Sequence, residues 1–219
     1  MDDEIQSQGL SDSTAIVVSA KHGQSPQDPN QLTRIDDGPI MDGVNAAWAA
    51  SHPGAPKLIS AGTDDDAIMW WLSDQSQEAA QFVKHYLWTH TATGNTAAGG
   101  SRTLEHSGLV KIYAGEAVAR YFGVPASDPR HPNVWGIVQV GVVYTGGKGK
   151  IAEHGGANPA DRDVPLVVYA PGAVRPDVSD QGVETTQIAP TIVKLLGLNP
   201  DALQAVRIEG TDVLPGIGR

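Results

Sequence analysis

Residues 14–24 read TAIVVSAKHGQ, a run of small, β-branched and apolar residues that ends in a lysine, a histidine and a glycine. Residues 14–20 show no alternation of apolar and polar positions, which predicts a buried, central parallel strand. A histidine followed by a glycine at the C-terminal end of such a strand is a position where α/β enzymes hold metal ions and anions.

A second histidine motif stands later in the chain. Residues 153–156 read EHGG, the turn Asp161-Arg162-Asp163 follows, and residues 164–170 form another apolar run. In both motifs the glycine after the histidine would let the backbone approach a bound ion closely. If the two strands are neighbours, we expect His22 and His154 at the same edge of the sheet, with imidazoles within about 10 Å. The alternative is that the two glycines only form turns and that the histidines before them have no functional role.

The composition limits the classes of function. The chain has 219 residues, of which 40% are apolar, and a formal net charge of −10. This charge argues against a nucleic acid polymer or an anionic membrane as partner. There is no cysteine, which excludes disulfides, thiolate zinc sites and a cysteine nucleophile. We expect no transmembrane segment and no signal peptide in this chain, and the compartment is left open.

Apolar runs alternate with helical patterns along the chain, which predicts an α/β fold with a mainly parallel sheet and helices on both faces. Further strands are predicted at 57–61, 67–72, 109–113 and 134–144, and helices at 41–50, 76–89, 115–122 and 186–197. Polar or glycine-rich loops are predicted at 23–40, 91–103 and 145–163. We interpret residues 1–219 as one α/β domain, with 40–130 as an insert or cap.

Acidic residues near the two motifs are candidates to complete a site. They are Glu153, Asp161 and Asp163 beside the second motif, and Asp28, Asp36 and Asp37 after the first. The alternative for 161–163 is a surface turn held by an ion pair. The run Asp64-Asp65-Asp66 lacks the spacing and the distal glutamate of an EF-hand, so it is interpreted as turn acids rather than as a calcium site. The five other histidines are interpreted as structural.

Three segments together resemble the C-terminal half of the alkaline phosphatase superfamily, in particular type I phosphodiesterases/nucleotide pyrophosphatases. They are residues 14–26, residues 152–168, and the helix at 185–197 with its Ala-Pro-Thr start. The resemblance implies a hydrolase of phosphate esters that uses two metal ions, usually zinc, and a serine or threonine nucleophile. It also implies that His22 and His154 are metal ligands, one for each metal.

Two departures from the family pattern bear on activity. Lys21 stands where the family has a metal-binding aspartate, and an ammonium group has no lone pair to offer a metal. Either that metal is weakened or absent, or Lys21 supplies positive charge beside a phosphate, which makes it a candidate catalytic residue. In addition, the family's nucleophile and its other ligands lie upstream of this strand, and the 13 residues before Thr14 contain no such set.

These observations lead to one main hypothesis and two alternatives. The main one is the C-terminal part of a zinc- or other divalent-metal-dependent phosphodiester or nucleotide pyrophosphate hydrolase, inactive without the nucleophile-bearing half. The first alternative is a non-catalytic structural or interaction module that retains the fold. The second is a different hydrolase with Glu153 and His154 as acid and base. An open sheet edge predicts a partner, either the N-terminal half or a second copy of the chain.

Overall fold

The apolar runs form strands and the amphipathic runs form helices in the computed structural model, which describes residues 1–217. The helices are α1 (Asp2–Ser7), α2 (Asp37–Ser51), α3 (Gln77–Thr89), α4 (Glu116–Phe122), α5 (Pro159–Arg162), α6 (Ile188–Leu195) and α7 (Gln204–Glu209). The strands are β1 (Ile16–Ser19), β2 (Thr33–Ile35), β3 (Ile59–Asp64), β4 (Ala67–Leu72), β5 (Ala92–Thr96), β6 (Ser101–Leu104), β7 (Leu109–Ala114), β8 (Val134–Val138), β9 (Val142–Tyr144) and β10 (Leu166–Tyr169). None of the described helices has the length and apolar character that a membrane crossing requires.

The chain divides into two units. Unit 1 consists of Met1–Lys21 and the described residues from Val164 onward, and unit 2 is His22–Asp163. In unit 1, β1 and β10 form a two-stranded antiparallel sheet in which Ser19 is paired with Leu166. The two strands are therefore neighbours, as expected, but their direction is not the parallel one that the unbroken apolar runs suggested. This pairing places the end of β1 beside the start of β10.

Unit 2 contains a four-stranded antiparallel sheet with the order β3-β4-β8-β7. Alternate residues of β4 face opposite sides of this sheet. Ile68, Trp70 and Leu72 pack into the large core with residues of α2 and α3. Ala67 and Met69 pack with Val118 of α4 on the other side. The predicted α/β class with helices on both faces is therefore confirmed.

A second sheet of unit 2 has the order β6-β5-β2-β9. Among the described residues, β2 and β9 are the one parallel pair, and the other pairs are antiparallel. The expectation of a mainly parallel sheet was therefore wrong. The reason is that short turns join β3 to β4 and β5 to β6, and a short turn can connect antiparallel strands only.

Two predicted loops contain strands. The segment 91–103 forms the β5–β6 hairpin, with its turn at Ala97–Gly100, and the segment 23–40 contains β2 and the start of α2. The loop at 91–103 was predicted from its glycines, but Gly94 is required for close packing rather than for flexibility. A Cβ at this position would overlap the carbonyl oxygen of Arg34 on β2. The predicted strand 134–144 is two strands, β8 and β9, which belong to different sheets and are separated by a turn in which Gly141 has φ +89°.

Candidate metal and phosphate site

The imidazoles of His22 and His154 are stacked on one another. Their ring centroids are 4.0 Å apart, and the ring planes differ by 21°. The two histidines are separated by most of unit 2 in the sequence, so the fold of unit 2 brings them together. The proximity expected from the sequence is observed. Their role as metal ligands stays a prediction.

One ring nitrogen of His22 is already engaged. Nδ1 lies 2.8 Å from the carbonyl oxygen of Gly23, and because a carbonyl only accepts hydrogen bonds, Nδ1 carries the proton. The lone pair of the neutral ring is therefore on Nε2. A backbone carbonyl that binds one ring nitrogen and orients the other is the usual support for a histidine metal ligand.

Gly23 is held tightly against the loop that carries Asp161. Its N–H donates to the carbonyl oxygen of Asp161 over 2.8 Å. A Cβ at this position would overlap the carbonyl oxygen of Ala160, so only glycine fits without movement of the backbone. The glycine after His22 is therefore required by packing between two loops of unit 2.

A short antiparallel bridge joins the two histidine motifs. The N–H of Ser25 donates to the carbonyl oxygen of Glu153 over 2.9 Å, and the N–H of Glu153 donates to that of Ser25 over 2.8 Å. The carboxylate of Glu153 is buried and forms an ion pair with Lys150. Glu153 is thus a structural residue of the bridge, which leaves the acid–base alternative for Glu153 and His154 without support.

Two buried carboxyl groups lie beneath these loops. Asp66 is 0% exposed and Asp161 is 3% exposed. The hydroxyl of Ser25 donates to Oδ2 of Asp66 over 3.1 Å, and the N–H of Asp66 donates to the carbonyl oxygen of His154 over 3.3 Å. Burial, and then the adjacent carboxyl of Asp161, raises the pKa of Asp66 to about 8. Ser25 was not among the candidate site residues from the sequence, and Asp66 was interpreted there as a turn acid.

The other acidic candidates are distributed differently. Asp161 belongs to the site, whereas Asp163 and Asp28 are exposed. Asp36 accepts a hydrogen bond from the N–H of Gly38 and is the N-cap of α2. Asp37 lies in the first turn of that helix, beside Asp64. Lys21 is exposed and belongs to unit 1, and its proposed phosphate role stays a prediction.

Asp64 predicts a pH dependence of the stability of unit 2. Burial, and then the negative charge of Asp37, raises the pKa of Asp64 to about 7 from 3.8. The folded state thus binds a proton that the unfolded state releases, and this stabilisation is present below about pH 4 and lost as the pH rises towards 7. We expect the free energy of unfolding to decrease over this range, and Asp64→Asn to remove part of that decrease. Urea titrations at several pH values measure it.

The exposed Asp42, on the same helix as Asp37, offers a matched control. Asp42→Asn removes an exposed carboxylate and leaves the half-buried one of Asp64 in place, so it should leave the slope of stability against pH unchanged. An Asp64→Asn protein with the same slope as the original would contradict the assignment.

An open cleft of about 660 Å³ lies beside His22. It is lined by His22, Gly23, Gln24, Pro26, Gln27 and Ala152. This cleft is a candidate location for a small ligand.

Three of the remaining histidines have structural partners. His52 stacks on the ring of Trp48, His90 on that of Tyr86, and His106 on that of Trp88.

The donor set for a zinc ion is partial on this chain. Within residues 1–217, no three side chains of the His, Asp, Glu or Cys type are grouped so that they could hold a metal. Zinc sites use three or four protein ligands, and imidazole nitrogen is one of the ligand types that suit zinc. The free Nε2 of His22 fits this requirement as a single ligand, and a complete site needs ligands from elsewhere.

No family model and no curated protein matches the sequence. Solved structures do match the fold. The alkaline phosphatase PafA is 15% identical, with a TM-score of 0.69 over 100% of this chain and 41% of its own. Human ectonucleotide pyrophosphatase/phosphodiesterase 5 is 13% identical, with a TM-score of 0.55 over 99% of this chain and 46% of its own.

The murine ectonucleotide pyrophosphatase/phosphodiesterase 5, solved in an inactive form in complex with AMP, is 12% identical, with a TM-score of 0.56 over 99% of this chain and 46% of its own. The chain thus has an alkaline phosphatase-like fold and spans less than half the length of these proteins. The resemblance stated from the sequence is confirmed at the level of the fold.

Proposed function

We propose that this chain is the C-terminal part of a metal-dependent phosphoester hydrolase, with His22 and His154 as ligands of zinc or another divalent metal. The observation that carries the proposal is the 4.0 Å separation of the two imidazole rings. A separation this short would place both imidazoles within reach of one two-metal site, in which the ions lie roughly 3.5–4 Å apart. The fold supports the same assignment.

The residues of this chain would prepare the site in three ways. The carbonyl of Gly23 holds the proton of His22 on Nδ1 and leaves Nε2 free. The Ser25–Glu153 bridge sets the spacing of the two histidine loops. Lys21, directly before His22, supplies a positive charge for a phosphate oxygen. A bound metal would polarise the phosphate and activate the nucleophile. We propose a phosphodiester or nucleotide pyrophosphate as substrate.

The zinc assignment predicts a loss of metal affinity in two variants. His22→Ala and His154→Ala should each weaken zinc binding by about tenfold or more, because loss of a ligand costs at least as much as loss of the group that orients it. Isothermal titration of the purified chain with zinc measures this. His85→Ala, at an exposed position of α3, is the control and should bind as the original does. Unchanged affinity in His154→Ala would contradict the assignment.

The exposed strands of unit 1 support the proposal that a partner supplies the nucleophile. Val18 of β1 and Val167 of β10 are 54% and 55% exposed, and each strand has one unpaired edge among the described residues. The described apolar clusters contain no residue of unit 1. A two-stranded sheet with exposed valines is marginally stable alone. We propose that the polypeptide of the N-terminal half covers these strands, and keep a second copy of the chain as the alternative.

Activity assays separate the enzyme from the non-catalytic alternative. The chain alone should not hydrolyse bis(4-nitrophenyl) phosphate in the presence of zinc, because the proposal assigns the nucleophile to the N-terminal half. Co-expression with a polypeptide that supplies the N-terminal half of such a fold, including the nucleophile, should produce turnover that His154→Ala abolishes. Turnover by the chain alone that survives His154→Ala would contradict the proposal. A folded complex without turnover would favour the structural or interaction module, for which Lys21 is the supporting observation.

A further inference from the structure

We propose that Asp66 and Asp161 form a second cation site, for a hard divalent ion such as Ca²⁺, Mg²⁺ or Mn²⁺, beneath the two histidine loops. Both carboxyl groups are almost completely buried, and they lie against each other. Apart from a hydrogen bond between the two carboxyl groups themselves, three of their four oxygens, Oδ1 of Asp66 and both oxygens of Asp161, have no hydrogen-bond partner. Buried polar atoms without a partner are rare and require an explanation.

Charge balance points to an ion. Two carboxylates in contact inside a protein repel each other, and each is costly to bury without a counter-charge. Within residues 1–217, no lysine, arginine or histidine forms an ion pair with either group. One divalent cation neutralises both charges, whereas one shared proton leaves a net negative charge buried.

The count of unpaired atoms points the same way. A proton on Asp66 can donate to one oxygen of Asp161, which leaves the other oxygen of Asp161 without a partner. A cation can be coordinated by both oxygens of Asp161 and by Oδ1 of Asp66 together, since hard cations bind carboxylates in a bidentate as well as a monodentate manner. An ion therefore accounts for all three oxygens, whereas a proton on Asp66 accounts for two of them.

The surroundings indicate the kind of ion. The side chains at the site are two carboxylates and the hydroxyl of Ser25, which are oxygen donors only. Such donors suit Mg²⁺, Ca²⁺ and Mn²⁺ rather than zinc. Gly156 packs against the pair, and a Cβ there would overlap Oδ2 of Asp161 and lie 2.6 Å from the carbonyl oxygen of Asp66. The glycine thus leaves space beside the carboxylates that a side chain would fill.

This site is separate from the histidine pair, although the two are connected. The N–H of Asp66 donates to the carbonyl of His154, and the carbonyl of Asp161 accepts from the N–H of Gly23. An ion between the two aspartates would therefore fix the loops of both histidines. The proposal does not rest on the zinc assignment, because it uses neither imidazole.

Calorimetric titration of the EDTA-treated chain with CaCl₂, MgCl₂ and MnCl₂ tests the site. We expect one ion per chain for at least one of these salts, and a rise of about 5 °C or more in the melting temperature at an ion concentration near 100 times Kd. Asp161→Asn should weaken binding by about tenfold or more. Asp163→Asn removes the same charge from an exposed position two residues later and should bind normally. His154→Ala should also bind normally, which separates this site from the zinc site.

Each other outcome overturns the proposal. If the original chain binds none of the three ions, the pair is held by a shared proton. If binding and the thermal shift are unchanged in Asp161→Asn or in Asp66→Asn, the ion is elsewhere. Should Asp161→Asn fail to fold, the titrations of the original chain and of Asp66→Asn still test the site. Asp66→Asn is expected to fold, because the asparagine keeps an oxygen that can accept the hydrogen bond from Ser25.

Discussion

Gly23→Ala is expected to destabilise unit 2 by about 3 kcal/mol, at the upper end of the usual range for overpacked positions. The added Cβ overlaps the carbonyl oxygen of Ala160, which is backbone and cannot rotate away. The loop of His22 must therefore move away from the loop of Asp161, and the 2.8 Å hydrogen bond from the N–H of Gly23 is lost. Urea unfolding of the purified chain measures the change.

A matched control exists within the same unit. A Cβ at Gly149 meets nothing within 4 Å, and Gly149 does not have a positive φ. Gly149→Ala should therefore change the free energy of unfolding by about 0.5 kcal/mol or less. The same loops carry the two imidazoles, so Gly23→Ala should also reduce zinc binding. A Gly23→Ala protein as stable as Gly149→Ala would show that the two loops are not packed as described.

Lys21→Asp is expected to strengthen zinc binding by about 10- to 100-fold. If His22 binds zinc as proposed, the change would replace a cation directly before this ligand in the chain with a carboxylate that can bind the ion. An ion pair at about 4 Å contributes about 4 kcal/mol at an effective dielectric constant of 20. Because Lys21 is exposed, solvent screening reduces this contribution, and every 1.4 kcal/mol corresponds to a tenfold change in affinity.

Zinc titration of Lys21→Asp alongside Lys148→Asp distinguishes a local from a general electrostatic effect. Both variants change the net charge by the same amount, and Lys148 is also exposed but lies in the glycine-rich loop before His154. We expect an increase that is much larger for Lys21→Asp. Equal increases would mean that the residue before His22 is not at a metal position, and would favour the non-catalytic alternative.

The histidine pair illustrates how far local sequence reasoning reaches. Its proximity was expected because each histidine stands beside an apolar run and such strands pair with each other, although in the structure the fold of unit 2 brings the two rings together. The pair Asp66–Asp161 could not be predicted in the same way. Ser25 and Asp66 are 41 residues apart, and Asp161 is more distant still, so their contact depends on the whole of unit 2. Asp66 therefore looked like one turn acid among three.

Helix α3 could be predicted from local sequence, whereas the direction of the strand pair β1–β10 could not. The limits of α3 follow from local chemistry, since Ser76 caps its first turn by accepting from the N–H of Ala79 over 3.1 Å. The composition of β1 and β10 likewise made them strands. The antiparallel direction of β1 and β10 depended on which strand edges formed hydrogen bonds with each other in the folded chain. The same holds for the hairpin formed by 91–103.

Residues 14–24 and 153–156 thus carried, as sequence, the chemistry of the candidate site: two imidazoles, the glycines beside them, and a lysine in place of a carboxylate. Tertiary structure alone decided that the rings stack at 4.0 Å and that two distant aspartates, one in the β3–β4 turn and one in α5, lie buried beneath them. The physical reason is that side-chain type and local periodicity are properties of neighbouring residues. Burial, close contact and a raised pKa are properties of the packed chain.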